Sequence, residues 1–340
     1  MSTMHRAARE WAIEPSAAAL HREALVWDMV WPYEPAVGND FPVLERFRRS
    51  GHDFVSIEVG GDDADIATMM RRIAKVRAYL GSRPTDYVLV ERTADILAAK
   101  SQGKLAVSLQ LAGLRCLDRD LDLIDLYYAL GVRHALLAFN VSNSFAGGCA
   151  DALDGGVTRL GRRAIERMDR VGMLLDLSHT GRRSSLQAME ITSNPVIFSH
   201  SDVDAVHSHW RNVTDEQIKA CAEKDGVIGI SGSSDYLGVS ESSNEAMFRH
   251  IDHVTQLVGP RHVGLGTDYV ADAAAILRYF AAVPDEWPTA EGASRTHIAY
   301  ATPEQRPGLT ELLLRSGYPE PDVRGILGEN FLRVCRQVWR

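Results

Sequence analysis

One stretch limits the possible folds more than any other: Met173 to His200, MLLDLSHTGRRSSLQAMEITSNPVIFSH. Two short apolar runs flank a segment with helical spacing at Leu186, Met189 and Ile191, and Thr180 stands where an N-cap would. Each apolar run ends on a histidine, His179 and His200. In a strand–helix–strand unit the strands run parallel, so both finish on the same face. The two imidazoles are therefore expected side by side, at the strand ends where α/β proteins bind ligands.

The rest of the chain repeats that alternation. Strands are expected at Ala24–Val30, His52–Val59, Lys104–Gln110 and His134–Asn140 before the pair, and at Gly226–Gly232 and His262–Asp268 after it. Helical stripes separate them. One carries Ile66, Met69, Met70, Ile73 and Leu80 and closes at Gly81; another lies near Thr93–Lys100. A third is marked by Leu121, Ile124 and Tyr128 and stops at Gly131. Thr158 and Gly172 bound another, Thr214 and Gln217 form a capping box, and a helix from about Glu245 to Val258 leads to the last strand.

Eight strands alternating with helices is the count of a (β/α)8 TIM-like barrel. A chain of 340 residues, 45% hydrophobic, fits one such domain. Residues 1–23 read as a helical lead-in and 309–339 as closing helices. Ala271 to Gly308 has few clear elements and reads as a lid or surface excursion. A doubly wound open sheet is the alternative, but no strand is followed by GxGxxG or a P-loop.

Charge and cysteine usage narrow the partners. A net charge of -8 without a basic cluster argues against nucleic acid. No apolar run is long enough to span a membrane and the N-terminus lacks an apolar signal core, so the expected location is cytoplasmic. Cys116, Cys149, Cys221 and Cys335 are widely spaced and read as reduced thiols.

In a barrel, chemistry sits at the carboxyl ends of the strands. Here those positions hold Val30, Glu58, Gln110, Asn140, His179, His200, Ser231 and Asp268. His179, His200 and a carboxylate make a fair set of ligands for zinc or another divalent ion. Such an ion polarises a carbonyl and acidifies water, and Asp268 could take and return the proton. Arg211 could clamp a substrate carboxylate or pair with a surface acid. His207 and His209 read as solvated loop histidines, and Glu58 either as a ligand or, the reading preferred, as an ordinary polar strand end.

These residues carry a resemblance. The chain resembles the membrane (renal) dipeptidase family of zinc metallopeptidases from about Leu25 to the C-terminus. The likeness rests on LGRRAIERMDRVGMLLDLSHTG (Leu160–Gly181), PVIFSHSD (Pro195–Asp202), WRN (Trp210–Asn212), GLGTD (Gly264–Asp268) and GILGENFLRV (Gly325–Val334). His179 and His200 also stand 21 positions apart, as the family's pair does.

The resemblance implies a barrel that hydrolyses dipeptides, often with two zinc ions bridged by a glutamate. It makes His179 and His200 ligands of one metal, Asp268 the catalytic acid/base, and Arg211 the anchor of the substrate carboxylate. It also implies a small-molecule substrate and a homodimer.

The departures matter as much. Val30 and Pro32 stand where the family has an HxD metal motif, and neither can ligate. Gln110 stands at the bridging glutamate and brings no charge to offset two cations. Phe139 or Asn140 replaces a substrate-facing histidine. The expectation is a metal-dependent hydrolase with one zinc at most, on His179, His200 and Gln110, with Arg211 and Asn140 contacting substrate. Two alternatives stay open: lyase or isomerase chemistry on a specialised metabolite, and a metal-free binding protein.

Overall fold

Nine strands alternate with helices in a computed structural model that describes residues 10–289 and 295–340. They are β1 Trp27–Pro32, β2 Phe54–Gly61, β3 Tyr87–Leu89, β4 Leu105–Ala112 and β5 Val132–Leu136. The rest are β6 Leu174–Asp176, β7 Ile197–Phe198, β8 Val227–Ile230 and β9 Val263–Leu265. All ladders are parallel, in the order β1-β2-β4-β5-β6-β7-β8-β9. This is the expected nearly closed barrel of eight strands.

β3 is additional and went unforeseen. It runs beside the first half of β4, pairing Leu105 to Val107, and β5 takes over that edge at Leu109. Three residues after a turn give too little alternation to mark a strand in sequence.

The seam between β1 and β9 closes through side chains. Asp28 accepts from the Thr267 N–H at 2.9 Å and from the Thr267 hydroxyl, and pairs with Arg306 Nη2 at 2.8 Å. Asp28 and Arg306 are both buried. Burial pushes the Asp28 carboxyl up, and Arg306 and Thr267 oppose that. Arg306 opens the helix Arg306–Arg315, so a closing helix locks the barrel. The other closing segment is broken, with a π turn at Gly325–Glu329 between Glu320–Arg324 and Asn330–Val338.

The barrel carries a polar string inside. Ser108 Oγ donates to Ser56 Oγ at 3.0 Å, Ser56 Oγ meets His134 Nε2 at 2.9 Å, and His134 Nδ1 meets Asp176 Oδ2 at 3.2 Å. Asp176 Oδ1 accepts from the Ser178 and Ser199 N–H groups, both at 3.0 Å. Burial alone would raise the Asp176 carboxyl, but these bonds and His134 hold it at about 2. The string thus fixes the backbone just before both site histidines.

Most caps follow the sequence. Thr158 caps Arg159–Val171, which ends on left-handed Gly172 (φ 87°), and Thr214 with Gln217 forms the capping box of Asp215–Glu223. Thr180 is different. The helix Arg182–Ile191 takes Gly181 as N-cap, and its first turn is satisfied from outside: Asp154 Oδ2 accepts from the Ser184 N–H at 2.8 Å.

The segment expected to be a lid contains the helix Ala273–Ala282, capped by Asp272. Asn39 ties it down, accepting from the Ala271 N–H at 2.8 Å and donating to the Tyr269 carbonyl at 2.8 Å. Residues 290–294 of this segment and 1–9 of the lead-in lie outside the described residues. No helix among the described residues is long and apolar enough to cross a membrane. The four cysteines are free, and Cys116, Cys221 and Cys335 are buried.

Candidate active site

Three positions at the strand ends share one unusual backbone conformation. Asn140, His179 and Asp268 have φ of 58°, 61° and 53°. Non-glycine residues visit this left-handed region rarely, and at some energetic cost. Each turns the chain sharply after its strand. The glycine-rich loop after Asn140 braces two of these turns: Cys149 N–H donates to the His179 carbonyl at 2.9 Å, and Ala150 N–H to the Asn140 carbonyl at 2.7 Å. Gly148 is required there, since a Cβ would lie 2.0 Å from the Asn140 carbonyl oxygen.

The turns aim the histidines at one point. His179 Nε2 and His200 Nε2 lie 2.9 Å apart. Behind them, His179 Nδ1 lies 2.5 Å from Asn140 Oδ1, and His200 Nδ1 2.6 Å from Ser199 Oγ. Asn140 Nδ2 donates to the Glu286 carbonyl at 2.9 Å, so its Oδ1 is the acceptor and His179 Nδ1 carries a proton. His179 Nε2 therefore presents a lone pair. Burial and then the Arg211 charge hold both rings well below the ordinary histidine range, so both are neutral at pH 7. Two neutral nitrogens at this distance need a proton or a cation between them. Ser199 can supply either state, since its hydroxyl donates to or accepts from His200 Nδ1.

Both histidines line a cavity of about 830 Å³, counting space open to solvent. One side is aromatic: Phe139 stacks on His179 (centroids 4.1 Å), Trp287 stands edge-on to Phe139 (5.6 Å), and Phe280 stacks on Trp287 (4.1 Å). The same cavity is also lined by Glu58, Glu34, Asp63 and Arg72. Asp268 lines the same cavity, as do Tyr236 and Tyr300. Burial pushes the Asp268 carboxyl up to about 7; Arg211 opposes the shift and the Asp28 charge adds to it. A carboxyl poised near neutrality suits proton transfer in both directions.

The other expected site residues lie around this cavity rather than on it. Asn140 is fully buried and its amide is spent on His179 and Glu286, while Phe139 holds the place facing the cavity. Gln110 is fully buried, and neither its Oε1 nor its Nε2 has a partner among the described residues. Among the described residues Arg211 pairs with no acid. It is 2% exposed, donating from Nη1 to Ser201 Oγ at 2.9 Å and from Nη2 to the His200 carbonyl at 2.6 Å. It lines a neighbouring cavity that shares His179 as a wall, and its Nε has no partner.

Two residues exceed what the sequence suggested. Glu58 is on the cavity wall, not an ordinary strand end. Its Cα pairs with that of Gln110 across β2 and β4, and counting by two from Ser56 would have placed it inside the barrel. His209 is packed, not solvated: it sits against Trp210 and Tyr236 (5.0 and 5.2 Å), and its Nδ1 accepts from the Arg211 N–H. Burial lowers it to about 4.

The donor set decides how much metal fits. The facing Nε2 atoms suit one ion, each ring being oriented from its far nitrogen as metal-ligating histidines usually are. The residues around the pair add few further donors. Val30 and Pro32 bring no donor, and no group of three or more His, Cys, Asp or Glu among the described residues could hold a metal.

A parallel (β/α)8 barrel with this strand-end site defines a metallo-dependent hydrolase type. The comparisons with known proteins narrow it. The model of the membrane dipeptidase family (peptidase family M19) matches residues 44–279. An uncharacterised dipeptidase of Schizosaccharomyces pombe is 30% identical over 276 residues, 79% of this chain and 62% of that protein. The dipeptidase aclJ of Aspergillus oryzae is 30% identical over 315 residues, 88% of this chain and 69% of that protein. Among solved structures, an amidohydrolase from Pseudomonas aeruginosa superposes with a TM-score of 0.85 at 27% identity, covering 95% of this chain and 99% of its own. The chain belongs to the membrane dipeptidase family.

Proposed function

We propose that this protein is a metal-dependent hydrolase that cleaves a dipeptide or closely related amide with a single zinc ion. The observation that carries the reading is the facing His179 and His200 pair, in one cavity with a carboxyl poised at about 7. When bound there, zinc supplies a Lewis acid that polarises a carbonyl and acidifies water. His179 and His200 hold it, and Asn140 and Ser199 orient their rings. Gln110, whose amide has no partner among the described residues, is proposed as a neutral third donor.

Asp268 accepts a proton as water attacks and returns it to the leaving amine. Arg211, already fixed by Ser201 and the His200 carbonyl, meets the substrate carboxylate from the neighbouring cavity. Phe139, Phe280 and Trp287 exclude water from one side of the cavity. Family membership lends no support to lyase or isomerase chemistry or to a metal-free binder.

The test is turnover of a dipeptide panel by protein reconstituted with zinc. Metal-dependent cleavage that is lost in Asp268→Asn is expected. No cleavage of any dipeptide by protein shown to carry zinc overturns the proposal.

A further inference from the structure

We infer that Glu58 is the docking point for a positively charged amine on the substrate, with the substrate's apolar or aromatic group lying against Phe139, Phe280 and Trp287. Glu58 sits on the cavity wall, yet no hydrogen bond or ion pair to its carboxylate is found among the described residues. The nearby cation does not serve it. Arg72 is bound by two other acids, Asp63 at 2.8 Å and Glu34 at 3.0 Å. Asp268 lines the same space from the turn after β9, so the cavity holds four acids and one arginine. Desolvation and the neighbouring Asp268 and Asp63 push the half-buried Glu58 carboxyl well above the usual carboxylate range, and a ligand cation relieves that strain.

A metal is the wrong cation for this position. Glu58 does not complete a group of three ligating side chains with His179 and His200. An ammonium suits it better, because three N–H donors match carboxylate acceptors without demanding further ligands. The aromatic part of the lining makes a different demand. Phe139, Trp287 and Phe280 form a continuous aromatic face. An amine flanked by a large apolar group satisfies both demands at once. In a dipeptide, these are the α-amine and the side chain of the first residue. Only that last correspondence rests on the proposed hydrolase function.

The test uses binding rather than turnover. Phenethylamine and its neutral counterpart 2-phenylethanol are titrated into the intact protein at pH 8, followed by Trp fluorescence or calorimetry. Wild type is expected to prefer the amine by roughly ten- to hundred-fold, the range of a charge-assisted hydrogen bond. Glu58→Gln is expected to erase the preference while leaving the alcohol's affinity unchanged, which shows that the cavity is intact. Glu58→Asp keeps the charge, serves if the glutamine variant does not fold, and should retain part of the preference. No amine preference in wild type, or a preference that survives in Glu58→Gln, overturns the inference. An intact preference without hydrolysis of any dipeptide would leave it standing and count against the hydrolase reading alone.

Discussion

His179 Nε2 and His200 Nε2 face each other at 2.9 Å, each ring held from behind, one by Asn140 and one by Ser199. The pair is built by the chain before any ligand arrives, because the polar string through Asp176 fixes both approaches to it. Binding one ion then costs little reorganisation. The His200 tautomer and the Ser199 hydroxyl reverse together.

Asn140 should matter to the metal without touching it. Asn140→Ala removes the acceptor from His179 Nδ1 and frees the Glu286 carbonyl. Loss of such an orienting partner typically costs about 10–100-fold in metal affinity. Competition with a chromogenic chelator measures this, and an unchanged affinity would mean that Asn140 does not set the ring.

Asp268 sets a pH dependence in two observables. Its ionised form is the base, so kcat/KM should rise with pH through a limb near 7 that disappears in Asp268→Asn. Stability runs the other way. The folded carboxyl is raised above its unfolded value, so its contribution is present at low pH and is lost as pH climbs from about 4 to about 7. Asp268→Asn should therefore melt higher than wild type at pH 8, by roughly 2–5 °C, with the gap shrinking by pH 5. Melting curves at both pH values read this directly.

The barrel seam can be tested apart from the chemistry. Asp28→Ala leaves Arg306 buried without its counter-charge, and breaking such a pair costs about 3–5 kcal/mol. Asp28→Leu combined with Arg306→Met should cost less than either single change. Because the Asp28 charge raises Asp268, any folded variant without it should also shift the kcat/KM limb to lower pH. Denaturant melts and pH–rate profiles check the two effects separately.

Gln110→Glu places a charged donor where a neutral one stands. If Gln110 reaches the ion, affinity should rise by about ten-fold, the scale of one charge-assisted contact. Unchanged affinity by the same chelator competition would place Gln110 outside the ligand set.

How far the sequence discloses this molecule depends on the range of the signal. The alternation of apolar runs and helical stripes is local, so the barrel and the convergence of His179 with His200 could be read from it. So could the place of Asp268, in the turn just after the last strand. Other features depend on distant partners. Asp154 reaches across to cap the helix after Thr180, and Arg306 crosses the chain to meet Asp28. Asn140 reads from its strand-end position as a substrate contact, whereas its amide is bonded to His179 and Glu286, residues far away in the chain. Glu58 was legible through β2 alternation, but an acid at a strand end gives no sign of whether it faces a partner or a cavity.

The central claim, a single ion on the His179–His200 pair, is tested most directly by the metal content of protein reconstituted with zinc and freed of excess. The account predicts about one equivalent in wild type and none in His179→Ala or His200→Ala, both folded by circular dichroism. Two equivalents in wild type, none at all, or one that survives both substitutions would contradict it.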